Sequence, residues 1–461
     1  MSITDDRTRE LDFCDVTLFD DPWETYRWLR ANAPIYRDEK NDLWVISKHE
    51  DVFTMSRDAE TYCNRFGVRP VIAGDMSIIT LDGDEHVRTR RLINQGFTPR
   101  QVRRLIPHVR ELSNQLVDEI TAKLAADDTA TIDFVEDFAI HVPLIIICEL
   151  MGLDPEQRLH MYRWSDAMMA GDGHIDGDDP KLLAAATAFG EYAELLVGLI
   201  AERRANPTAD DLIGILTHAM DDGVLERDQE AMQAAIQGAT EARAAELAAD
   251  KLDDEELFSF LTVLLVAGNE TTRNAISGGL LALSLFPEQK QRLLEHLDDD
   301  AFFDLAVDEL IRYVTPVLAS IRTVTRDHTY KGVDFKEGDR VLLLYQSANR
   351  DEDVFDRPDE LILDRSPNPH LAFGIGPHFC LGANLARMEV KTVFQELLHR
   401  LPDIRVVDGA PLVRGDSSLV LALQNLPGTF DASSGCPVPG LAADAGAHAS
   451  GCPVHHTNGQ G

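Results

Sequence analysis

The stretch Phe373-Gly374-Ile375-Gly376-Pro377-His378-Phe379-Cys380-Leu381-Gly382 carries the densest chemical information in the sequence. Its glycines and proline predict a tight, irregular turn where the backbone can approach a large flat group. The single Cys380 follows, and apolar periodicity predicts a helix over 382–400. A thiol at a helix N-terminus faces the positive end of the dipole, which favours a thiolate, either a nucleophile or a soft-metal ligand. Because no Cys-His-Asn order or nucleophile elbow surrounds Cys380, we favour ligation, with a structural cysteine as the alternative.

These ten residues resemble the haem-binding signature of the cytochrome P450 superfamily, Phe-Gly-x-Gly-x-His/Arg-x-Cys-x-Gly, at every position. The resemblance implies a mainly α fold with small β-sheets, the single-domain triangular prism of that family. It also implies haem b with its iron bound by Cys380, and O2 as co-substrate. The residues of this stretch that the resemblance places against the haem are Phe373, Gly374, His378, Cys380 and Gly382.

A second mark of the family is Ala267-Gly268-Asn269-Glu270-Thr271-Thr272, within an apolar helix predicted over 253–285. Glycine and adjacent threonines lower helix propensity. We expect Gly268 to open room and the threonine hydroxyl to bond the carbonyl four residues earlier, beside an acid that offers a proton relay. A close helix–helix contact is the alternative. The resemblance implies an oxygen-activation groove in which Ala267 contacts the haem and the catalytic residues are Glu270 and Thr271.

A third mark is the i,i+3 pair of Glu309 and Arg312, which share one face of a predicted helix. Alone, such a pair is typical of a solvated surface. The resemblance instead implies a buried core pair completed by Arg365, although Leu361 stands where the family usually has phenylalanine.

A fourth mark lies around Asp82 and Glu85, whose spacing predicts a helix start of the capping-box type. His86 and Arg90 are four residues apart, so they share a helix face and can present two donors to an anion. The resemblance places both on the haem carboxylates, joined by Arg322 and His378. Several cationic donors around one dianion would neutralise its charge and form hydrogen bonds to it.

The composition excludes several classes of partner. The 461 residues include 43 Lys+Arg and 79 Asp+Glu, a net charge of −36, which argues against nucleic acid and anionic membrane. The N-terminus is polar, and no stretch reaches the roughly 18 uncharged apolar residues that span a bilayer. Six cysteines without a CxxC pair are too sparse for a disulfide framework. We therefore expect a cytoplasmic protein with no membrane anchor.

Periodicity also predicts helices over 98–124, 181–205 and 299–313 and strands over 43–46 and 341–345, without βαβ alternation. We expect one haem-thiolate domain over 1–430, with an Ala/Glu-rich insert at 226–252 and a disordered tail at 431–461. The tail repeats Ser-Gly-Cys-Pro-Val. Its Cys436, Cys452, His455 and His456 could bind zinc or a second haem, but incidental thiols in an unstructured tail are the reading we favour.

Finer resemblance, in 26–32, 268–279, 346–352 and 368–370, is to the actinobacterial P450s that oxidise the terminal methyl of steroid side chains and methyl-branched lipids. It implies terminal hydroxylation of an apolar substrate such as cholest-4-en-3-one. Since no reductase extension follows, we expect electrons from a ferredoxin and its reductase. Two alternatives are a monooxygenase of a terpenoid, fatty acid or secondary metabolite, and a non-catalytic haem-thiolate binder or sensor. The residues expected to line the pocket, each of which could instead be core, are Val68, Val71, Ile72, Met76, Val263, Val266, Val317 and Leu318.

One basic run interrupts the acidic sequence. Between His86 and Arg110 there are seven arginines and no Asp or Glu. In the resembling fold this region lies near Cys380, on the side where electron donors dock. We expect an acidic ferredoxin to be steered to this patch of a monomeric protein, with contacts from Arg100, Arg103 and Arg104.

Overall fold

The computed structural model describes residues 11–70, 77–126, 131–170, 178–206, 208, 211–217, 252–415, 417, 419–421 and 423–430. The predicted tail lies outside these residues, as does the predicted insert except for Leu252. Three of the expected pocket residues, Val71, Ile72 and Met76, also lie outside them.

The described part of the chain is mainly helical, with short strands. The helices are α1 (Trp23–Asn32), α2 (His49–Arg57), α3 (Gly83–Asn94), α4 (Pro99–Ala126), α5 (His141–Leu150), α6 (Pro155–Ala170), α7 (Pro180–Ala205), α8 (Leu212–Thr217), α9 (Asp254–Leu285), α10 (Pro287–Glu295), α11 (Asp300–Val314), α12 (Tyr345–Ala348) and α13 (Ala383–Arg400). The strands are β1 (Ile35–Asp38), β2 (Leu43–Ile46), β3 (Tyr62–Cys63), β4 (Ile132–Asp133), β5 (Ser320–Val324), β6 (His328–Tyr330), β7 (Val333–Phe335), β8 (Arg340–Leu343), β9 (Arg405–Val406) and β10 (Pro427–Thr429).

The five predicted helices are confirmed as α4, α7, α9, α11 and α13, with ends within two residues of the predicted ones. The strand predicted over 43–46 is confirmed as β2, whereas the strand predicted over 341–345 is β8 and ends earlier, because Tyr345 begins α12.

Helix α9 is the central element of the larger core. Asp253 and Glu256 form a complete capping box at its start. Most of its second half, from Thr272 to Leu280, is buried. It packs against α5, α11 and α13, so the motif around Glu270 is held rigidly inside the molecule.

The sheets lie at the edge of this helical core. The largest has the strand order β1-β2-β8-β5-β3. Only its β2–β8 pair is parallel. Its last pair places Cys63 opposite Thr323. This pairing brings the chain that leads into α3 beside β5, which carries Arg322.

A network of buried charges joins α11 to the chain that leads into the Cys380 loop. Glu309 and Arg312 are both fully buried and share two hydrogen bonds of 2.7 and 2.8 Å. Arg365 reaches the same carboxylate at 3.1 Å, even though Leu361 replaces the usual phenylalanine. The aromatic ring beneath both guanidinium groups is Phe355, at 5.2 and 5.9 Å.

Helix α7 is the one described helix long and apolar enough to cross a membrane by length and composition. Only 28% of its most apolar window is buried. A single such helix is weak evidence for a membrane span, because core helices of soluble proteins pass the same test.

Candidate active site

The loop before Cys380 is shaped by two glycines in left-handed conformations, Gly374 at φ 66° and Gly376 at φ 81°. A Cβ atom on Gly376 would lie 2.9 Å from the Ser56 carbonyl oxygen, so the loop packs on α2 without room for a side chain. The Cys380 amide donates to the Phe373 carbonyl at 2.9 Å. These contacts close the turn and leave the thiol at the start of α13.

Burial raises the pKa of the Cys380 thiol. The Gly382 amide and the positive charges of Arg90 and Arg387 lower it, but burial outweighs them. The expected stabilisation of the thiolate by its surroundings is therefore only partial, and a bound metal has to displace the proton.

The four expected carboxylate donors belong to three separate parts of the chain. The rings of His86 and His378 lie 4.2 Å apart, centroid to centroid. Both Nε2 atoms are buried and have no hydrogen-bond partner among the described residues. Arg322 donates to Ser320 Oγ and to the Ile321 carbonyl, both at 2.8 Å.

Buried imidazole rings and positive charges lie together in this cluster. Burial lowers the pKa of His86 to about 3, assisted by the neighbouring His378 and Arg90. The orphaned Nε2 of His86, beside the charge of Arg90, is a donor that a haem carboxylate would satisfy, whereas His378 Nε2 also faces the Asp82 carboxylate at 3.5 Å. The residues present therefore fit the haem that the Cys380 loop implies.

The helix start predicted at Asp82 is confirmed, because Asp82 is the N-cap of α3, but its side chain does not form the predicted capping bond. Its carboxylate makes no bond to the first turn of α3. It instead accepts hydrogen bonds from the backbone amides of Asn64 and Arg65, both at 3.0 Å. The amides of Asn64 and Arg65 thus bind the Asp82 carboxylate in place of the amides in the first turn of α3.

The proposed oxygen-activation residues lie at the middle of α9. Thr271 Oγ1 donates to the Ala267 carbonyl at 2.8 Å, which is the expected back-bond. Gly268, in contrast, does not open a groove: an added Cβ would lie 2.6 Å from Ile147 Cδ1 of α5. That glycine allows a close helix–helix contact, the alternative reading.

Glu270 is 2% exposed and is ion-paired with Arg273 at 2.5 Å. Burial raises the pKa of its carboxyl; Arg273 opposes this shift, and Asp166 adds to it. Arg273 was not among the expected site residues, although Glu270 and Arg273 repeat the Glu-x-x-Arg spacing of Glu309 and Arg312. In this structure the carboxylate is thus held by Arg273.

The described pocket candidates divide into two groups. Val263 and Val266 keep part of their surface accessible, on the same face of α9 as Ala267 and Thr271. Val317 is half-buried and Val68 is 5% exposed.

Leu318 is a core residue, and its assignment to the pocket is wrong. It is fully buried in the cluster formed by Phe13, Phe19, Tyr26 and their neighbours. Adjacent residues of an extended chain point to opposite sides, so Val317 and Leu318 cannot line the same surface.

Two of the seven arginines in the basic run are paired with carboxylates in the structure. Arg88 is ion-paired with Glu256, and Arg110 with Glu396. The exposed arginines at the start of α4 are Arg100, Arg103 and Arg104.

Helices α4 and α13 run side by side in the same direction. Arg110 contacts Glu396, and about two turns further along α4 and one turn further along α13 Asp118 contacts Arg400. Since Cys380 immediately precedes α13, the exposed arginines that begin α4 lie at the end of the helix pair that carries the ligand loop.

Comparisons with known proteins agree with this geometry. The cytochrome P450 family model matches residues 34–402. The steroid C26-monooxygenase of Mycolicibacterium smegmatis is 31% identical over 89% of this chain and 93% of its own length. The methyl-branched lipid omega-hydroxylase of Mycobacterium bovis is 35% identical over 85% of this chain and 84% of its own. A solved structure, Mycobacterium marinum cytochrome P450 CYP268A2 in complex with pseudoionone, covers 93% of this chain and 100% of that one, with a TM-score of 0.76 and 29% identity.

The expected fold and cofactor are confirmed by these matches. Haem iron and O2 are the cofactor and co-substrate, the substrate is apolar, and electrons come from redox partners. The family match and the monooxygenase names of the relatives support the catalytic reading over the non-catalytic alternative. The chain therefore belongs to the cytochrome P450 family and is a haem-thiolate monooxygenase related to the actinobacterial steroid and methyl-branched lipid hydroxylases.

Proposed function

We propose that this enzyme hydroxylates the terminal methyl group of a steroid side chain, of the cholest-4-en-3-one type, or of a methyl-branched lipid. The names of relatives at 31% and 35% identity over most of the chain carry this proposal. The accessible face of α9 supports it, because Val263, Val266 and Ala267 offer a substrate only apolar contacts. An apolar wall suits a long hydrocarbon chain and discriminates weakly among such chains.

A spectral titration tests the substrate class. Micromolar cholest-4-en-3-one is expected to shift the haem from low to high spin. Pseudoionone, the ligand of the M. marinum structure, serves as the comparison. A shift with pseudoionone and none with the steroid would overturn the steroid assignment and favour the terpenoid or secondary-metabolite alternative.

For the proton supply we propose Glu270 and Thr271. The haem supplies the iron that activates O2. Glu270, which is buried and paired with Arg273, would take up a proton at its carboxylate and pass it to Thr271 Oγ1. The Ala267 carbonyl holds this hydroxyl in place. Burial raises the pKa of the Glu270 carboxyl, which favours the uptake of a proton there.

Thr271→Ala tests the relay. Product formed per electron consumed is expected to fall by roughly 10²-fold, the usual contribution of a positioned acid, while the CO spectrum of the reduced enzyme keeps its thiolate band. Thr272→Ala is the matched control, since Thr272 is its buried neighbour, 4% exposed. Unchanged coupling in Thr271→Ala would contradict the assignment.

We propose an acidic ferredoxin as the electron donor, docking on Arg100, Arg103 and Arg104 of a cytoplasmic, monomeric protein whose catalytic domain spans 1–430. The exposure of these arginines beside the ligand loop supports this site. Charge reversal at Arg103 and Arg104 should slow reduction and flatten its dependence on salt. Arg27→Glu, at an exposed arginine on α1, is the control. Equal reduction rates in all three proteins would refute the docking site.

A further inference from the structure

The Asp82 carboxylate joins segments of the chain that are distant in sequence. Its side chain is 10% exposed. Besides the two backbone amides at Asn64 and Arg65, it faces His378, whose Nε2 lies 3.5 Å from Asp82 Oδ1. Asn64 is itself buried and anchored, since its side-chain amide donates to the Ile79 carbonyl at 2.8 Å. Asp82 therefore ties the segment after β3 to the loop that contains Cys380.

The same carboxylate lies among the donors proposed for the haem carboxylates. Asp82 directly precedes α3, which carries His86 and Arg90. The β3 strand before Asn64 pairs with β5, which carries Arg322. Asp82 is an anion beside His378, whereas two further charged neighbours of that ring, Arg322 and Arg90, are cations.

A negative charge is unfavourable beside a group that binds anions, unless it orients the donors. We propose that Asp82 is a positioning residue: its carboxylate, 3.5 Å from His378 Nε2 and bonded to the amides of Asn64 and Arg65, holds the His378 ring and this segment in place beside the haem carboxylates. In this proposal Asp82 acts through His378. This inference rests on the contact with a haem carboxylate that is expected for His378.

The rate of haem loss distinguishes the positioning role of Asp82 from simple charge repulsion. Removing the charge should accelerate haem loss in the first case and slow it in the second. The haem-loaded full chain is mixed with excess apomyoglobin, and haem transfer is followed by absorbance. Asp82→Asn keeps the size of the side chain but loses the charge and one acceptor oxygen. Positioning predicts loss about tenfold faster, the size expected for one hydrogen bond to a charged group. Charge repulsion alone predicts slower loss, and slower or equal loss would overturn the proposal.

Asp38→Asn is the matched control. Asp38 is 1% exposed and also accepts two backbone amides, from Phe13 at 3.0 Å and Asn41 at 3.1 Å, in the part of the chain around β1. Its haem loss should equal that of the wild type. Equal acceleration in both variants would assign the effect to general stability and overturn the proposal.

Two further readouts complete the test. Asp82→Asn should shift the midpoint potential of the haem to a more positive value, since a nearby negative charge is removed, whereas Asp38→Asn should not. In a His378→Asn background, Asp82→Asn should have little additional effect on haem loss. If His378→Asn alone leaves haem loss unchanged, the proposed haem contact of His378 fails. If His378→Asn accelerates loss and Asp82→Asn does not, only the positioning role fails.

Discussion

The buried network around Glu309 gives the sharpest stability prediction. Glu309 is fully buried and accepts hydrogen bonds from two guanidinium groups, Arg312 and Arg365, and from the Ile362 amide at 2.9 Å. Glu309→Gln leaves two buried cations without a counter-charge. Breaking a buried ion pair from one side typically costs about 3–5 kcal/mol.

Hydrogen bonds from Arg312 to backbone carbonyls reduce the cost of losing the carboxylate. Arg312 also donates to the carbonyls of Asn349 and Pro358, at 2.7 and 3.0 Å, and these bonds remain in the variant. We therefore expect a loss of about 3 kcal/mol in the free energy of unfolding. This is a large share of the roughly 5–15 kcal/mol that holds a typical folded protein together.

The assay is urea unfolding of the haem-loaded protein, followed by both circular dichroism and haem absorbance. Glu396→Gln is the control. Glu396 also pairs with an arginine, but Arg110 is half exposed, so the expected cost is about 1 kcal/mol or less. A loss below about 1 kcal/mol in Glu309→Gln, or equal losses in the two variants, would refute the reasoning.

Two further predictions follow from backbone geometry and burial. Gly376→Ala should lower the haem content of the purified protein, because the new Cβ would lie 2.9 Å from the Ser56 carbonyl oxygen at a positive φ. Gly190→Ala, with open space around the new Cβ, is the control and should keep its haem. Equal haem-to-protein ratios in the two variants would contradict this prediction. Burial raises the pKa of Glu389 to about 8, so the folded chain holds a proton that the unfolded chain releases, and stability should fall by up to about 1.4 kcal/mol per pH unit between roughly pH 5 and 8. Glu389→Gln should flatten that slope in urea titrations at several pH values, and an unchanged slope would contradict the burial argument.

The fold could be predicted largely from sequence because its long helices have strong local signals. The apolar periodicity of α9 is reinforced by the capping box of Asp253 and Glu256, and Pro180 marks the start of α7. The ligand loop is equally local, since the glycines, His378 and Cys380 lie within ten residues.

What sequence does not reveal depends on tertiary contacts. The Asp82 spacing predicts a cap, but amides 17 and 18 residues earlier in the chain take its carboxylate. Gly268 leaves space for the side chain of Ile147, which lies about 120 residues away in sequence. Local helix propensity cannot reveal such a contact. Leu318 is apolar like its neighbour Val317, and only the packing on Phe13 and Phe19 assigns it to the core.

The incorporation of labelled oxygen tests the central claim most directly. Cholest-4-en-3-one is incubated with the enzyme, a ferredoxin system and ¹⁸O2, and the product is analysed by mass spectrometry and NMR. We expect a primary alcohol at the end of the side chain that carries one ¹⁸O atom. Hydroxylation at a ring or secondary carbon, or peroxide release without labelled product, would contradict it.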